Sequence, residues 1–498
     1  MRKPELVLLM LFIALIGKST FAQNSPFSLE ANEHQLVTID EIFSESTEIE
    51  PFNGQGKKIY GLAASAKIDF TSEEGLVRLV LLDNNFNEYL LLESYPNIDG
   101  SSVSFEGHAE ETALLNGITP YAIEIQVKDA TVRLNHLSYA TKGDVISNYN
   151  KQKKEKQTAQ NKDKIQRLNK NLKAKGQHWV AGETGVSQLS YAERKKLYGS
   201  STFPSGFEFY AGGVISTETS RAINTTEKSA TATSPYTDSW DWRDRHGKNW
   251  ITPVTNQGGC GSCWAFASTG ATEAMVNLFY NQQINMDLSE QDVLSCSNAG
   301  DCIGGMPADA LSYISSQGIV DEVAFPYTAY DDPCSNKSNN PSELIKIGGR
   351  IDFGYSPYLK SEDNLKSMLI SFGAISSGII NWSHAIVLVG YKVVNEGDTF
   401  YYRDAINKTS NWLTIESGNP LIGKTVWIFK NSWGPYYGDQ GYVYIETPIE
   451  NIGWTHAIQT PITSEVNNYE VQCTDNDGDG YYFWGLGPNQ PIARNVRI

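Results

Sequence analysis

Apolar and polar positions follow different patterns in successive stretches of this chain. Arg2 and Lys3 precede an unbroken apolar run, Leu6-Val7-Leu8-Leu9-Met10-Leu11-Phe12-Ile13-Ala14-Leu15-Ile16. Small and polar residues follow as far as Phe21 and Ala22. That pattern predicts a secretory signal peptide, residues 1–22. The run is shorter than the ~20 residues a spanning helix needs, and no later apolar run is longer, so no transmembrane segment is expected. Residues 23–145 alternate or fall into short apolar runs, such as Val77-Arg78-Leu79-Val80-Leu81-Leu82 and Tyr121-Ala122-Ile123-Glu124-Ile125-Gln126-Val127. Turn signals such as Asp83-Asn84-Asn85 and Asp99-Gly100 separate them. Short strands at this spacing predict an all-β sandwich. Its residues suggest no chemistry, so it reads as a folding or spacer module, or as a binder of carbohydrate or another surface ligand.

The pattern then changes. Residues 151–175 hold ten Lys/Arg against two acids, Glu155 and Asp163, and contain no Gly or Pro before Gly176. This predicts an exposed basic helix ending at Gly176. Residues 216–235 are rich in Ser, Thr and Ala without periodicity, which predicts an accessible linker. Beyond Trp240 the chain is denser in aromatics, glycines and cysteines.

Composition narrows the classes. The 498 residues correspond to roughly three domains. At 40% apolar and 19% charged, the chain can build cores. A net charge of −17 argues against a nucleic-acid partner. Six cysteines are too few for a disulfide-built scaffold, so their placement matters more than their number.

The most informative stretch is Gln257-Gly258-Gly259-Cys260-Gly261-Ser262-Cys263-Trp264-Ala265-Phe266, followed by an apolar, helix-compatible run. Cys263 would sit at a helix N-terminus, where dipole and free N–H groups favour the nucleophilic thiolate. A thiolate needs a base, and the base an orienter. Of His246, His384 and His456, His384 stands at the mouth of an apolar strand. Asn431 follows another strand in Lys430-Asn431-Ser432-Trp433-Gly434. Its carbonyl can fix an imidazole, and Trp433 can shield that bond from water. Cys260 to Cys263 is formally C-x-x-C, so a redox pair is the competing reading, which would leave Gln257, His384 and Asn431 as coincidences. A zinc site would need a second Cys/His pair at ligand spacing, and there is none.

On these residues the region from Trp240 to Pro461 resembles the papain-family (cathepsin-like) cysteine proteases. The matching motifs are QGGCGSCWAF, LSEQDVLSC with DCIGG, SHAIVLVGY and FKNSWGPYYGDQGYVYI. His384 lies 121 residues and Asn431 168 residues beyond Cys263, against about 130–150 in the family signature. About thirty extra residues, 392–424, separate the two strands and read as an inserted hairpin. The resemblance implies an α+β papain-like catalytic domain, a helical half plus a β-barrel-like half. It implies Cys263 as nucleophile, His384 as its acid–base partner and Asn431 as orienter. Gln257 and the Cys263 N–H would form the oxyanion hole. It also implies disulfides Cys260–Cys302 and Cys296–Cys334, leaving Cys473 odd. Gly304 and Gly305 would bind an extended peptide. Met306, Pro307 and, less directly, Ala457 would line an apolar second subsite.

Asn161, Ile165 and Asn169 match half of the family's propeptide helix motif, with Lys154 in place of its Arg. Thr158 and Asn150 depart from it. The resemblance therefore implies an inhibitory propeptide, with a solvated charged linker helix as the alternative. In the tail, Asp475, Asp477 and Asp479 with Gly480 suit a calcium loop, but position 12 is Leu486. The tail reads either as a calcium loop or as an acidic flexible segment. The expected order is signal peptide 1–22, β-sandwich 23–145, helical propeptide-like segment 146–200, linker or activation segment 201–235, papain-like domain 236–462 and Asp-rich tail 463–498. The expected function is hydrolysis of peptide or protein substrates by a secreted (extracellular, or in a bacterium periplasmic or cell-surface) proenzyme that requires no cofactor for catalysis. The rival is a surface or carbohydrate-binding protein with an inactive protease-like domain.

Overall fold

The computed structural model describes residues 34–52, 56–97, 99–142, 149–197, 199, 206–216, 236–245, 247–353, 361–404, 409–464 and 469–470. The expected signal peptide 1–22, residues 217–235, Cys473 and the acidic trio Asp475, Asp477 and Asp479 lie outside them. The chain divides into two compact units. One holds residues up to Lys175 with Ser190–Ala192; the other holds Gly176–Leu189 and the chain from Glu193 onward.

The first unit contains β1 (His34–Phe43), β2 (Thr47–Ile49), β3 (Gly61–Phe70), β4 (Leu76–Asp83), β5 (Glu88–Ser94), β6 (Val103–His108), β7 (Pro120–Lys128) and β8 (Ala130–Ala140). They form two four-stranded sheets, ordered β1-β8-β3-β6 and β2-β7-β4-β5. Alternation aims every second side chain at the same face. Val77, Leu79 and Leu81 of one sheet thus share a core with Leu62, Ile68 and Val132 of the other. The intervening Val80 and Leu82 join Leu90, Ala122 and Tyr191 in a separate cluster. Both faces of β4 are therefore covered, which accounts for its unbroken apolar run.

Helix α1 (Tyr149–Ala174) belongs to this same unit. The basic helix expected at 151–175 is present but is not uniformly exposed. Ile165, Leu168 and Leu172 are buried along one stripe. Lys164 Nζ lies 3.0 Å from Glu93 Oε1 and 3.6 Å from Glu110 Oε2. Arg78 Nε takes the other Glu93 oxygen at 2.6 Å.

The second unit holds β9 (Trp179–Ala181), β10 (Tyr210–Ser216), β11 (Ser239–Asp241), β12 (Gly300–Asp301), β13 (Gly304–Gly305), β14 (Ile319–Val320), β15 (Leu344–Asp352) and β16 (Ile375–Ile379). It continues with β17 (His384–Val393), β18 (Thr399–Asp404), β19 (Thr409–Thr414), β20 (Thr425–Lys430), β21 (Tyr442–Glu446) and β22 (Ile452–Ser464). Short helix α2 (Tyr191–Leu197) precedes α3 (Cys263–Tyr280), α4 (Glu290–Cys296), α5 (Pro307–Ser316) and α6 (Glu362–Phe372). A sheet runs β14-β15-β22-β16-β17-β20-β21-β10-β18-β19, with β11 added to β17 and β9 to β10. Helix α3 packs on β17, β22 and β16 and is buried almost all round, as its small and apolar composition requires. Disulfides Cys260–Cys302 and Cys296–Cys334 are both formed.

Two expectations change here. Residues 146–200 do not act as one segment, because α1 joins the first unit while 176–189 and 193–197 join the second. Nor is 201–235 a linker throughout. Phe207, Phe209, Tyr210 and Val214 are buried, and β10 is an internal strand of the sheet. The apolar run Phe207-Glu208-Phe209-Tyr210-Ala211-Gly212-Gly213-Val214-Ile215 explains why: its burial outweighs the turn bias of its two glycines. The hairpin expected in 392–424 is β18–β19, paired with Tyr401 opposite Trp412.

Candidate active site

Cys263 opens α3 behind an N-cap at Ser262. Its Sγ is approached by the backbone N–H of Ala385 at 3.5 Å, so the start of β17 is placed beside the start of α3. His384, the first residue of β17, is fully buried. Its Nε2 lies 2.8 Å from Asn431 Oδ1, which makes Nε2 the protonated nitrogen. Nδ1 has no hydrogen-bond partner. The Trp433 ring lies 4.6 Å from the imidazole, centroid to centroid, and is itself buried. Register explains the meeting, because Val387 pairs with Lys430 across antiparallel β17 and β20, which brings the start of β17 to the end of β20.

Gln257 is buried, and Ser432 fixes it. Ser432 Oγ donates to Gln257 Oε1 at 2.6 Å, and Gln257 Nε2 donates to Cys260 O at 2.9 Å. One Nε2 hydrogen remains for a reacting oxyanion. Tyr327 OH donates to Gln257 O at 2.9 Å and lies 2.6 Å from Ser262 Oγ. Sequence reasoning missed Ser432 and Tyr327 as supports. Ser432 could have been found from its place beside Asn431; Tyr327 carries no local signal.

Gly304 and Gly305 form β13, paired with β12. A methyl group at Gly305 would lie 2.5 Å from the Trp264 ring, so glycine is required for this close approach. Met306 is partly exposed, whereas Pro307 is buried with its carbonyl accepting Ser268 Oγ from α3 at 3.3 Å. Ala457 is buried on β22, opposite Ile351 and Ile375. These residues are thus placed against or near α3 and its sheet, and none is charged.

Residues 193–197 and Gly199 lie on the same ground. A methyl group at Gly261 would meet Lys196 O at 2.9 Å, and one at Gly259 would meet Glu193 Cγ at 3.2 Å. A methyl group at Gly199 would meet Ser383 Cβ at 2.8 Å. The segment therefore passes from the loop before the thiol to the residue before His384. Burial pushes the Cys263 thiol above its ordinary range despite backbone N–H groups pointing at it. Burial also pushes His384 down to about 4, against the opposing pull of Asn431. Both shifts favour the neutral thiol and the neutral imidazole over the ion pair. The helix terminus favours the thiolate expected from the sequence, and desolvation opposes it.

A family profile described as "Papain family cysteine protease" matches residues 236–462. Cathepsin S of Bos taurus is 37% identical over 213 residues, 41% of this chain and 59% of that protein. Cathepsin S of Rattus norvegicus is 30% identical over 303 residues, 59% of this chain and 85% of that protein. Among solved structures, digestive procathepsin L2 proteinase from Tenebrio molitor larval midgut aligns at 23% identity with a TM-score of 0.42, over 64% of this chain and 96% of that one.

Proposed function

The chain belongs to the papain family of cysteine proteases, and we propose that it is a secreted endopeptidase made as an inactive precursor. The observation that carries this reading is the 2.8 Å His384–Asn431 bond held at the thiol of Cys263. Once the cleft opens, Cys263 and His384 regain solvent and the thiol proton moves to Nδ1 of His384. The thiolate attacks the scissile carbonyl carbon. The resulting oxyanion takes hydrogen bonds from Gln257 Nε2 and the Cys263 N–H. His384 then gives its proton to the leaving amine, and Asn431 holds the ring for both transfers. Water hydrolyses the thioester and frees the enzyme.

An extended peptide pairs with Gly304 and Gly305. Met306, Pro307 and Ala457 favour an apolar or aromatic side chain two residues before the cut. Residues 193–199 inhibit in cis by lying across the nucleophile loop. The acid–base geometry supports catalysis over the inactive-surface-protein reading, because His384 bonds Asn431, the Ala385 N–H reaches Cys263 Sγ, and Ser432, next to Asn431, holds Gln257. The test is labelling with a thiol-directed epoxide peptide, before and after maturation. Stoichiometric label on Cys263 only after maturation is expected; no label after complete removal of 193–199 overturns the reading.

A further inference from the structure

Strand β10 sits inside the second unit's sheet rather than on it. Val214, Ile215 and Ser216 pair in parallel with Tyr444, Ile445 and Glu446 of β21. On its other edge Gly212 pairs with Tyr402 of the inserted hairpin. Gly212 has φ +150, and a methyl group there would lie 2.6 Å from Tyr402 Cα. Only glycine permits that approach. Among the described strands, β18 has no sheet neighbours except β10 and β19. By strand pairing the hairpin thus joins the catalytic sheet through β10, while Phe400 also packs on Tyr444 of β21, ring centroids 5.5 Å apart.

The same segment also supports the catalytic residues. Phe207 lies 4.3 Å from Trp382 and 5.9 Å from Trp433, centroid to centroid, and Trp433 covers His384. Tyr437 OH donates to Phe207 O at 3.2 Å. Tyr210 is fully buried, with its ring 5.6 Å from that of Tyr437, and its carbonyl accepts Gly438 N at 3.1 Å. At the far end Glu446 accepts both the Ser216 hydroxyl and Lys424 Nζ, the latter at 3.1 Å. Lys424 closes the 392–424 insertion. Removing 206–216 would leave an aromatic-lined void behind the catalytic histidine and an unpaired edge on both β21 and β18.

We infer that residues 206–216 are a permanent strand of the enzyme, locked in by the inserted hairpin, and that activation displaces 193–199 while leaving β10 in the sheet. The inference rests on the protease reading above. The linker position just before Trp240 then marks no boundary of the working enzyme.

The experiment is to mature the full chain, label it with the epoxide peptide, pass it through gel filtration and measure masses after denaturation. Absence of label would count against the protease reading, not this one. Among labelled molecules, residues 206–216 should be present at one per active site, joined to the catalytic chain or as a bound fragment. Labelled, active enzyme lacking them overturns the inference. Gly212→Val in the unprocessed Cys263→Ala chain tests the lock. Amide exchange in Thr399–Asp404 and Thr409–Thr414 should rise at least ~10-fold, while α3 stays protected. Unchanged exchange in the hairpin overturns its dependence on β10.

Discussion

The two units handle buried charge in opposite ways. In the first, Glu93 and Glu110 meet Lys164, Arg78 and His108. Burial alone would raise the Glu110 pKa, but Lys164 and His108 hold it below the usual range. In the second, Glu273, Asp287 and Glu290 are gathered around a single buried cation, Lys430, whose Nζ lies 3.9 Å from Glu273. There burial pushes Glu273, Asp287 and Glu290 up, and Glu322 up to about 7. Glu273 and Glu290 are further hydrogen-bonded by Thr252 and Thr255. Glu110 is thus held toward its ionised form, whereas Glu273, Glu290 and Glu322 are driven toward the neutral one. The difference follows from the ratio of cations to carboxylates, because no carboxylate ionises cheaply in a dry site without its own partner. Lys430, the cation among these carboxylates, is the residue before Asn431 in the chain.

The largest way to separate the units is through the nucleophile. Cys263→Ala should lower peptide hydrolysis by at least ~10³-fold, since the residual rate would rest on binding and the oxyanion hole alone. Both thermal transitions should survive, because only one small side chain changes. Hydrolysis within tenfold of wild type would move the chemistry elsewhere. In the unprocessed chain, with Cys263 held as thiol, carbamidomethylation at pH 7 should be slower than in matured enzyme by ~10²-fold or more. Equal rates would mean that 193–199 does not control the thiol.

Next come stability effects confined to one unit. Cys296→Ser with Cys334→Ser opens a loop of sequence separation 38. The second unit should lose about 3–4 kcal/mol and the first nothing. Lys164→Met should do the reverse, costing the first unit ~1–3 kcal/mol by stranding Glu110 beside Glu93. Calorimetry of the Cys263→Ala chain separates the two transitions. A shift of both by either variant would mean that the units unfold as one.

Part of this was legible in the sequence. Cys263, His384 and Asn431 could be named as a candidate group, and the fold brings them together because they sit in short stretches fixed by local geometry, a helix start and two strand ends. Both disulfides followed from the same resemblance. Strand β10 was not legible, because Gly212-Gly213 breaks its alternation and its partners lie about 190 to 230 residues away. The membership of α1 was hidden too. Ten basic residues read as a solvated helix, and nothing local marks Lys164 as the one bound by Glu93 and Glu110. The desolvation of Cys263 and His384 was not legible, because sequence reveals the helix end that favours a thiolate but not the burial that opposes it.

The smallest expected effect is also the most specific to the comparison, for it has opposite signs in the two units. Glu110 has a lowered folded pKa, so its contribution is present above the ordinary carboxylate pKa and fades as pH falls below it. The stability gap between wild type and Glu110→Gln should therefore be widest at neutral pH and shrink as pH falls below the ordinary carboxylate range. Glu322 has a folded pKa of about 7. Between the ordinary glutamate value and that point the folded state binds the extra proton, so wild type loses stability as pH rises. Glu322→Gln has no such proton to lose, and should gain on wild type from pH 4.5 to 7.5. The buried histidines His384 and His456 also titrate in this window with lowered pKa, but they are common to both chains and cancel in the difference. Calorimetric scans of each pair across pH 3 to 7.5 give the two slopes. Slopes of the same sign would mean that paired and crowded carboxylates respond alike, and the contrast between the units would fall.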